Sequence, residues 1–177
     1  MPNTAPVIDS APIVRDLVTR AKDVHKARLW VIAALSKGMK NIELTEMADL
    51  KAAGAVAVMT LMPTYELEQN DVAHIGVICE ELGLEWYQLP IEDDCAPEQA
   101  FEAAFTDYKA SILALLQAGK KVAIHCKGGS GRTGLMAAIL MTQLGYSKTE
   151  AQALVQQLRP KTLCHPVHQS YFATFKG

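Results

Sequence analysis

The sequence predicts a single α/β domain in which a mostly parallel central sheet carries helices on both faces. Three observations lead there. Short runs rich in apolar and β-branched residues, among them Ala55–Leu61 and Val122–Ile124, alternate with longer segments whose apolar residues recur at helical spacing. Glycines stand where those helical segments stop. The chain has 177 residues, 50% of them hydrophobic and 20% charged, which is enough for one sizeable core and too few for two.

In chain order, residues 1 to about 10 are small and Pro-rich and read as a loose arm. Val14, Leu17, Val18 and Ala21 give helical spacing from Ser10 to about Lys22, and Leu29–Ala33 reads as a first strand. Leu44–Ala53 is a helix, with Thr45 as its candidate N-cap and Gly54 as its stop. Ala55–Leu61 is a strand buried on both faces and ended by Pro63. Glu68–Leu82 then reads as one helix, with a stripe of Val72, Ile75, Ile78, Cys79 and Leu82 that leaves His74 at the surface, and Gly83 stops it. Leu84–Leu89 is the next strand, and Pro90–Pro97 is a loop whose last residue is placed to open a helix reaching to about 118. That helix buries Phe101, Phe105, Tyr108, Ile112 and Leu115 before Gly119. After the strand Val122–Ile124 come a helix over 131–144 closed by Gly145, one opened by the capping box Ser147-Lys-Thr-Glu150, and one over 166–175.

Composition excludes several classes. A net charge of −2 gives no global reason to expect nucleic acid or an anionic membrane as partner. The apolar run Leu29–Leu35 is too short to span a bilayer, and the start of the chain lacks the basic and apolar regions of a signal peptide, so a cytoplasmic location is expected. Cys79, Cys95, Cys126 and Cys164 are far apart and form no CxxC pair, so they read as thiols rather than a disulfide framework. Cys95 could guard Cys126 as a disulfide under oxidation, if the fold brought the two into bonding range.

The stretch from His125 to Gly134 carries the chemistry. A strand runs into His125 and Cys126, then into Lys127, Gly128, Gly129, Ser130 and Gly131, and Arg132 and Thr133 open an apolar helix. Glycines allow backbone conformations that let successive N–H groups converge on an anion, and a helix N-terminus adds its positive end. Arg132 supplies a planar fork matched to two phosphate oxygens. Cys126 in that field should have a lowered pKa and act as a thiolate nucleophile. Taken singly, a buried cysteine is often only a small hydrophobe, and glycines after a strand often mark only a turn. The joint spacing favours a cysteine nucleophile held beside a tetrahedral oxyanion. A nucleotide-binding loop would need Lys where Arg132 stands.

This signature resembles that of the protein tyrosine/dual-specificity phosphatase superfamily. Within it, the chain is most similar to the cyclin-dependent-kinase-associated phosphatase type and its bacterial relatives, over about Leu44 to Phe175. Asp49–Gly54 and Leu89-Pro-Ile-Glu-Asp-Asp-Cys-Ala-Pro97 also carry the likeness. The resemblance implies a phosphatase domain over 28–177, preceded by an arm and helix over 1–27, with a cysteine-dependent phosphatase fold. It implies hydrolysis of phosphomonoesters (phosphotyrosine, with phosphoserine and phosphothreonine as further candidates) on a protein or peptide through a thiophosphate intermediate, without metal or other cofactor. In that scheme Lys127 to Arg132 hold the phosphate oxygens, His125 supports the loop, and Thr133 donates its hydroxyl to the Cys126 sulfur. Asp93 falls at the family's general acid, with Asp94 and Glu92 as alternatives. Relatives place the hydrolytic water with a Gln three residues before an aromatic. Here that spacing from Tyr171 lands on His168, with Gln169 beside it, and either is a candidate. His165 and His168 have Pro166 between them and no third ligand pattern, so they do not read as a metal site.

Competing readings remain. A phospholipid or other non-protein phosphate would use the same loop, although only Lys127 adds a basic charge to Arg132 there. A rhodanese-like sulfurtransferase also presents Cys in an anion-binding loop, but without the His-Cys start and the Arg-Thr ending. A non-catalytic phosphate-binding module predicts loss of Cys126, Arg132 or the acid, and all are present. Oligomeric state is not legible.

Overall fold

The computed structural model of the protein describes residues 19–20, 28–31, 44–52, 54–127, 131–158 and 160–177. The expected arm over residues 1–10 lies outside them, as does most of the expected helix Ser10–Lys22. The elements are β1 (Thr19–Arg20), β2 (Arg28–Val31), α1 (Leu44–Ala52), β3 (Ala55–Thr60), α2 (Thr64–Gln69), α3 (Ile75–Glu81) and β4 (Glu85–Gln88), followed by α4 (Gln99–Gln117), β5 (Lys121–His125), α5 (Arg132–Gln143), α6 (Lys148–Leu158) and α7 (Pro166–Thr174). The sheet order is β1-β2-β5-β3-β4. β2, β5, β3 and β4 pair in parallel, and β1 runs antiparallel to β2 at the edge. Thr19 and Arg20 therefore correct the helix expected to run through them. They pair with Val31 and Trp30, so a long-range ladder overrides local spacing.

The central strands bury both faces. Ala57, Met59, Val122 and Ile124 point into a core with Phe101, Phe105, Ile112, Leu116 and the inner faces of α5, α6 and α7. Ala55, Val58 and Ala123 point the other way, against Met47 and Leu50 of α1 and Ile75, Ile78 and Cys79 of α3. Each large aliphatic side chain removed from water on these two faces contributes about 1.5–3 kcal/mol.

The segment read as one helix over Glu68–Leu82 is two. α2 starts after Pro63 and closes in a Schellman turn, in which Val72 N–H donates to Leu67 O at 2.9 Å and Asp71 N–H to Glu68 O at 3.1 Å. Asp71 takes the left-handed position with φ +57°, and Asn70 Nδ2 donates back to Glu66 O at 2.7 Å. Asn-Asp can terminate a helix as glycine does, and here it turns the chain before α3. Pro97 is likewise not the first helical residue, because Glu98 caps α4. Gly54, Gly83, Gly119 and Gly145 all have positive φ at the predicted helix stops. The capping box forms as expected. Glu150 N–H donates to Ser147 Oγ at 3.1 Å, and Ser147 N–H donates to Glu150 Oε2 at 2.9 Å.

Two features of the strand ends place the site. Leu61 N–H donates to His125 O at 3.0 Å, which extends the β3–β5 ladder to the last residue of β5. Beyond β4, Leu89 N–H donates to Thr60 O and Ile91 N–H to Leu61 O, both at 2.9 Å. The loop carrying Asp93 is thereby drawn across the carboxyl ends of the strands toward Cys126, where open α/β sheets bind ligands. Among the described residues no helix is long and apolar enough to cross a membrane.

Candidate active site

Cys126 follows β5 directly and is buried. Thr133, in the first turn of α5, donates its hydroxyl to Cys126 Sγ at 3.0 Å. A hydroxyl there stabilises negative charge on sulfur more than it stabilises a thiol. Cys79 is buried in α3 on the opposite face of the sheet, where burial pushes its thiol up to about 12. Cys79, Cys95, Cys126 and Cys164 form no disulfide, and Cys95 is exposed while Cys126 is buried.

His125, the last residue of β5, is completely buried. Its Nε2 lies 2.7 Å from Thr60 Oγ1, which also accepts the Trp86 indole N–H at 2.8 Å. Burial pushes the His125 pKa down to about 4, with the Cys126 backbone pulling it partly back up. Between about 6.5 and about 4 the unfolded chain binds a proton that the folded ring excludes, so acidification through that window favours unfolding. The full effect is about 3 kcal/mol. Urea unfolding at about pH 7 and about pH 5 should show the wild type losing about 2 kcal/mol through this ring, and His125→Asn should flatten the dependence by that amount. An identical pH slope in both proteins would disprove the assignment.

Arg132 is 1% exposed, a rare placement for a guanidinium. Its fork is matched by Glu66, a residue the sequence reading did not single out. Nη1 donates to Glu66 Oε2 at 2.7 Å and Nη2 to Glu66 Oε1 at 2.8 Å, while Nη1 also donates to Ile91 O at 2.9 Å. Asp93 Oδ1 lies 3.4 Å from Nη2. Burial works against the cation, but the Glu66 hydrogen bonds together with the electrostatic influence of Cys126, Glu66 and Asp93 outweigh it and hold the Arg132 pKa above its usual value. Nε is buried and has no hydrogen-bond partner among the described residues. Glu66 sits in the first turn of α2, where the only signal in the sequence was an acid near a helix N-terminus.

The remaining expected residues divide. Gly128, Gly129 and Ser130 lie outside the described residues. Lys127 is exposed, and Gly131 is the N-cap of α5. Gly134 is required by space, since a Cβ there would stand 2.1 Å from Thr162 Cγ2. Asp93 and Asp94 are both exposed, in a turn closed by Cys95 N–H donating to Glu92 O at 3.1 Å. Asp94 takes the left-handed position, with φ +56°. Asp93 reaches Arg132, whereas Asp94 Oδ1 turns to His165 Nε2 at 3.9 Å and Glu92 accepts a hydrogen bond from Tyr65. His168 is buried against this turn, with Nε2 3.0 Å from Cys95 O, while Gln169 is exposed and lines a cavity between α6 and α7. Among the described residues no group of three or more His, Cys, Asp or Glu is placed to hold a metal ion. The arrangement can hold a sulfur nucleophile, a buried guanidinium and a carboxylate around one oxyanion.

Residues 26–173 match the family model described as "Swiss Army Knife protein, DSP-PTPase phosphatase domain". Kinase associated phosphatase (KAP), in a form whose catalytic cysteine is replaced by serine, superposes with a TM-score of 0.70 at 20% identity over 82% of this chain and 83% of that one. Tk-PTP in its active form gives a TM-score of 0.61 at 26% identity over 85% and 92%. PTPMT1 in complex with PI(5)P gives 0.59 at 19% over 81% and 86%. Part of the chain is also similar to dihydroorotases. That of Sulfurihydrogenibium sp. is 38% identical over 111 residues, and that of Deinococcus radiodurans 54% over 56 residues. These matches take in 48% and 32% of this chain but only 26% and 14% of those proteins, so the chain spans about a quarter or less of the curated relatives it matches.

Proposed function

Because the chain belongs to the DSP-PTPase phosphatase domain family, we propose that it hydrolyses phosphomonoesters on proteins, phosphotyrosine first, through a phosphocysteine intermediate at Cys126. The observation that carries this reading is the buried Cys126 sulfur, 3.0 Å from the Thr133 hydroxyl in the same turn as Arg132, whose guanidinium the Asp93 carboxylate approaches to 3.4 Å. The Cys126 thiolate attacks phosphorus as the bond to the leaving oxygen breaks. Asp93, protonated, gives that oxygen its proton. Water then attacks phosphorus, giving a proton back to the Asp93 carboxylate as the P–S bond breaks, and the Thr133 hydroxyl stabilises the departing thiolate. The Arg132 Nε–H, the Nη2 hydrogen now facing Asp93 and the backbone N–H groups of the 127–132 loop are the donors for the three equatorial oxygens. The buried, neutral His125 supports the loop through Thr60. The dihydroorotase likeness covers less than half of the chain, and no arrangement of the described residues favours carrying that activity over.

Asp93 is favoured over Asp94 as the acid because it alone of the two faces Arg132. Asp93→Asn should lower kcat/KM for phenyl phosphate about 100-fold, with Asp94→Asn close to wild type. The reverse ranking would move the role to Asp94. Substrate class is tested with an aryl phosphate, a phosphopeptide panel and phosphoinositide vesicles, in chelator, with wild type and Cys126→Ser. Phosphopeptide turnover that requires Cys126 is expected. Turnover of phosphoinositides alone would make the substrate a lipid, and no turnover in any arm would end the phosphatase reading.

A further inference from the structure

His165 and His168 stand one turn apart at the start of α7, with ring centroids 5.2 Å apart. His165 is fixed as the N-cap, its Nδ1 accepting Val167 N–H at 3.2 Å. His168 is 1% exposed. Because a carbonyl oxygen only accepts, the 3.0 Å contact with Cys95 O puts the His168 proton on Nε2 and leaves Nδ1 bare. The other edge of the ring lies on the phosphate loop. A Cβ on Gly131 would stand 3.3 Å from His168 Cε1 and 3.7 Å from Nδ1. One imidazole thus lies between Gly131, at the start of α5, and the turn that carries Asp93, to which it is hydrogen-bonded. The nearby groups are the Cys95 carbonyl and the His165, Asp94 and Arg132 side chains, and burial lowers the His168 pKa. The ring is therefore neutral near pH 7, and it reaches the turn as an N–H donor rather than as a cation.

We propose that His168 is a positioning residue that latches the Glu92–Cys95 turn onto the phosphate loop and thereby sets where Asp93 delivers its proton. Asp93 is 63% exposed and meets Arg132 Nη2 at 3.4 Å, and the turn also contacts the partly exposed His165 and Tyr65. Among the described residues, the turn's hydrogen bond to a buried side chain is the one between Cys95 O and His168 Nε2. This inference rests on Asp93 being the acid, and its test separates the two.

The measurement is kcat/KM across aryl phosphates, from strongly acidic nitrophenols to phenol itself, for wild type, Asp93→Asn, His168→Ala and His168→Gln. A nitrophenolate leaves without a proton, whereas phenolate needs one. Asp93→Asn should steepen the dependence on leaving-group acidity. His168→Ala should steepen it in the same direction, losing about 10-fold on phenyl phosphate and little on the most acidic phenol. His168→Gln, which keeps an N–H for the Cys95 carbonyl, should recover most of the loss. A His168→Ala enzyme slowed equally on every substrate, or not at all, while Asp93→Asn steepens the slope, overturns the latch alone. An unchanged slope in Asp93→Asn overturns the acid assignment instead. If His168→Ala does not fold, His168→Gln against His168→Met, similar in volume with only the former donating, carries the same comparison.

Discussion

Cys126→Ser should abolish phosphomonoester turnover, with a fall in kcat on the order of 10⁴-fold or more, while leaving the fold intact. The change replaces one sulfur by oxygen at a buried position after β5, so the core loses little volume and the Thr133 hydroxyl keeps an acceptor. The chemistry changes completely. A serine hydroxyl in the same field stays protonated at neutral pH and is a far weaker nucleophile than a thiolate. His125 is turned away toward Thr60, and its buried ring stays neutral down to about pH 4. The variant should therefore keep its thermal midpoint to within a few degrees and still bind phosphorylated ligand. A burst of phenolate release followed by slower turnover in the wild type, with acid-quenched phosphate on Cys126, is the companion result. Residual steady turnover by Cys126→Ser at a tenth of the wild-type rate would show that the nucleophile lies elsewhere.

The candidate loop stands out in the sequence because its residues are consecutive: strand, Cys126, glycines, then Arg132 and Thr133 in fixed spacing. The strands around it were legible for a related reason. A run such as Val122–Ile124 between a glycine and a Gly-rich loop has no competing pattern. What escaped was everything set by pairing across long separations. Thr19–Arg20 reads as helix by local spacing and becomes an edge strand only through β2. The break at Asn70-Asp71 is carried by one left-handed aspartate inside a stripe that otherwise fits a continuous helix. Glu66 lies 66 positions from the arginine it holds, and nothing local distinguishes it from Glu68, which stays exposed. The strand order that brings the ends of β3, β4 and β5 together, and with them the Asp93 turn, is likewise tertiary information.

Glu66 is where the second large effect is expected, on stability and rate together. Glu66→Leu removes both oxygens of a bidentate pair whose arginine is 1% exposed. Ile91 O and the exposed Asp93 then remain as partners, and Asp93 is screened by water. Breaking a buried ion pair from one side costs about 3–5 kcal/mol, because the other charge stays buried and uncompensated. Chemical denaturation should show that loss as a lower midpoint with an unchanged slope. A guanidinium released from its fork also shifts by about an ångström or more at the oxyanion, worth about 100-fold in kcat/KM. Glu66→Gln keeps the shape and one acceptor, so it should cost about half the stability of Glu66→Leu. The double variant Glu66→Leu/Arg132→Leu separates the two roles. With both charges gone the core has no orphan, and stability should recover by about 2 kcal/mol or more relative to Glu66→Leu. Activity should not recover, since the oxyanion then has no guanidinium to meet it. If Glu66→Leu unfolds at the wild-type midpoint and keeps full kcat/KM, the pair neither holds Arg132 in place nor matters to the fold. If instead the double variant is less stable than Glu66→Leu, the remaining Arg132 contacts to Ile91 and Asp93 outweigh the burial of its charge, and the ion pair is a gain in its own right.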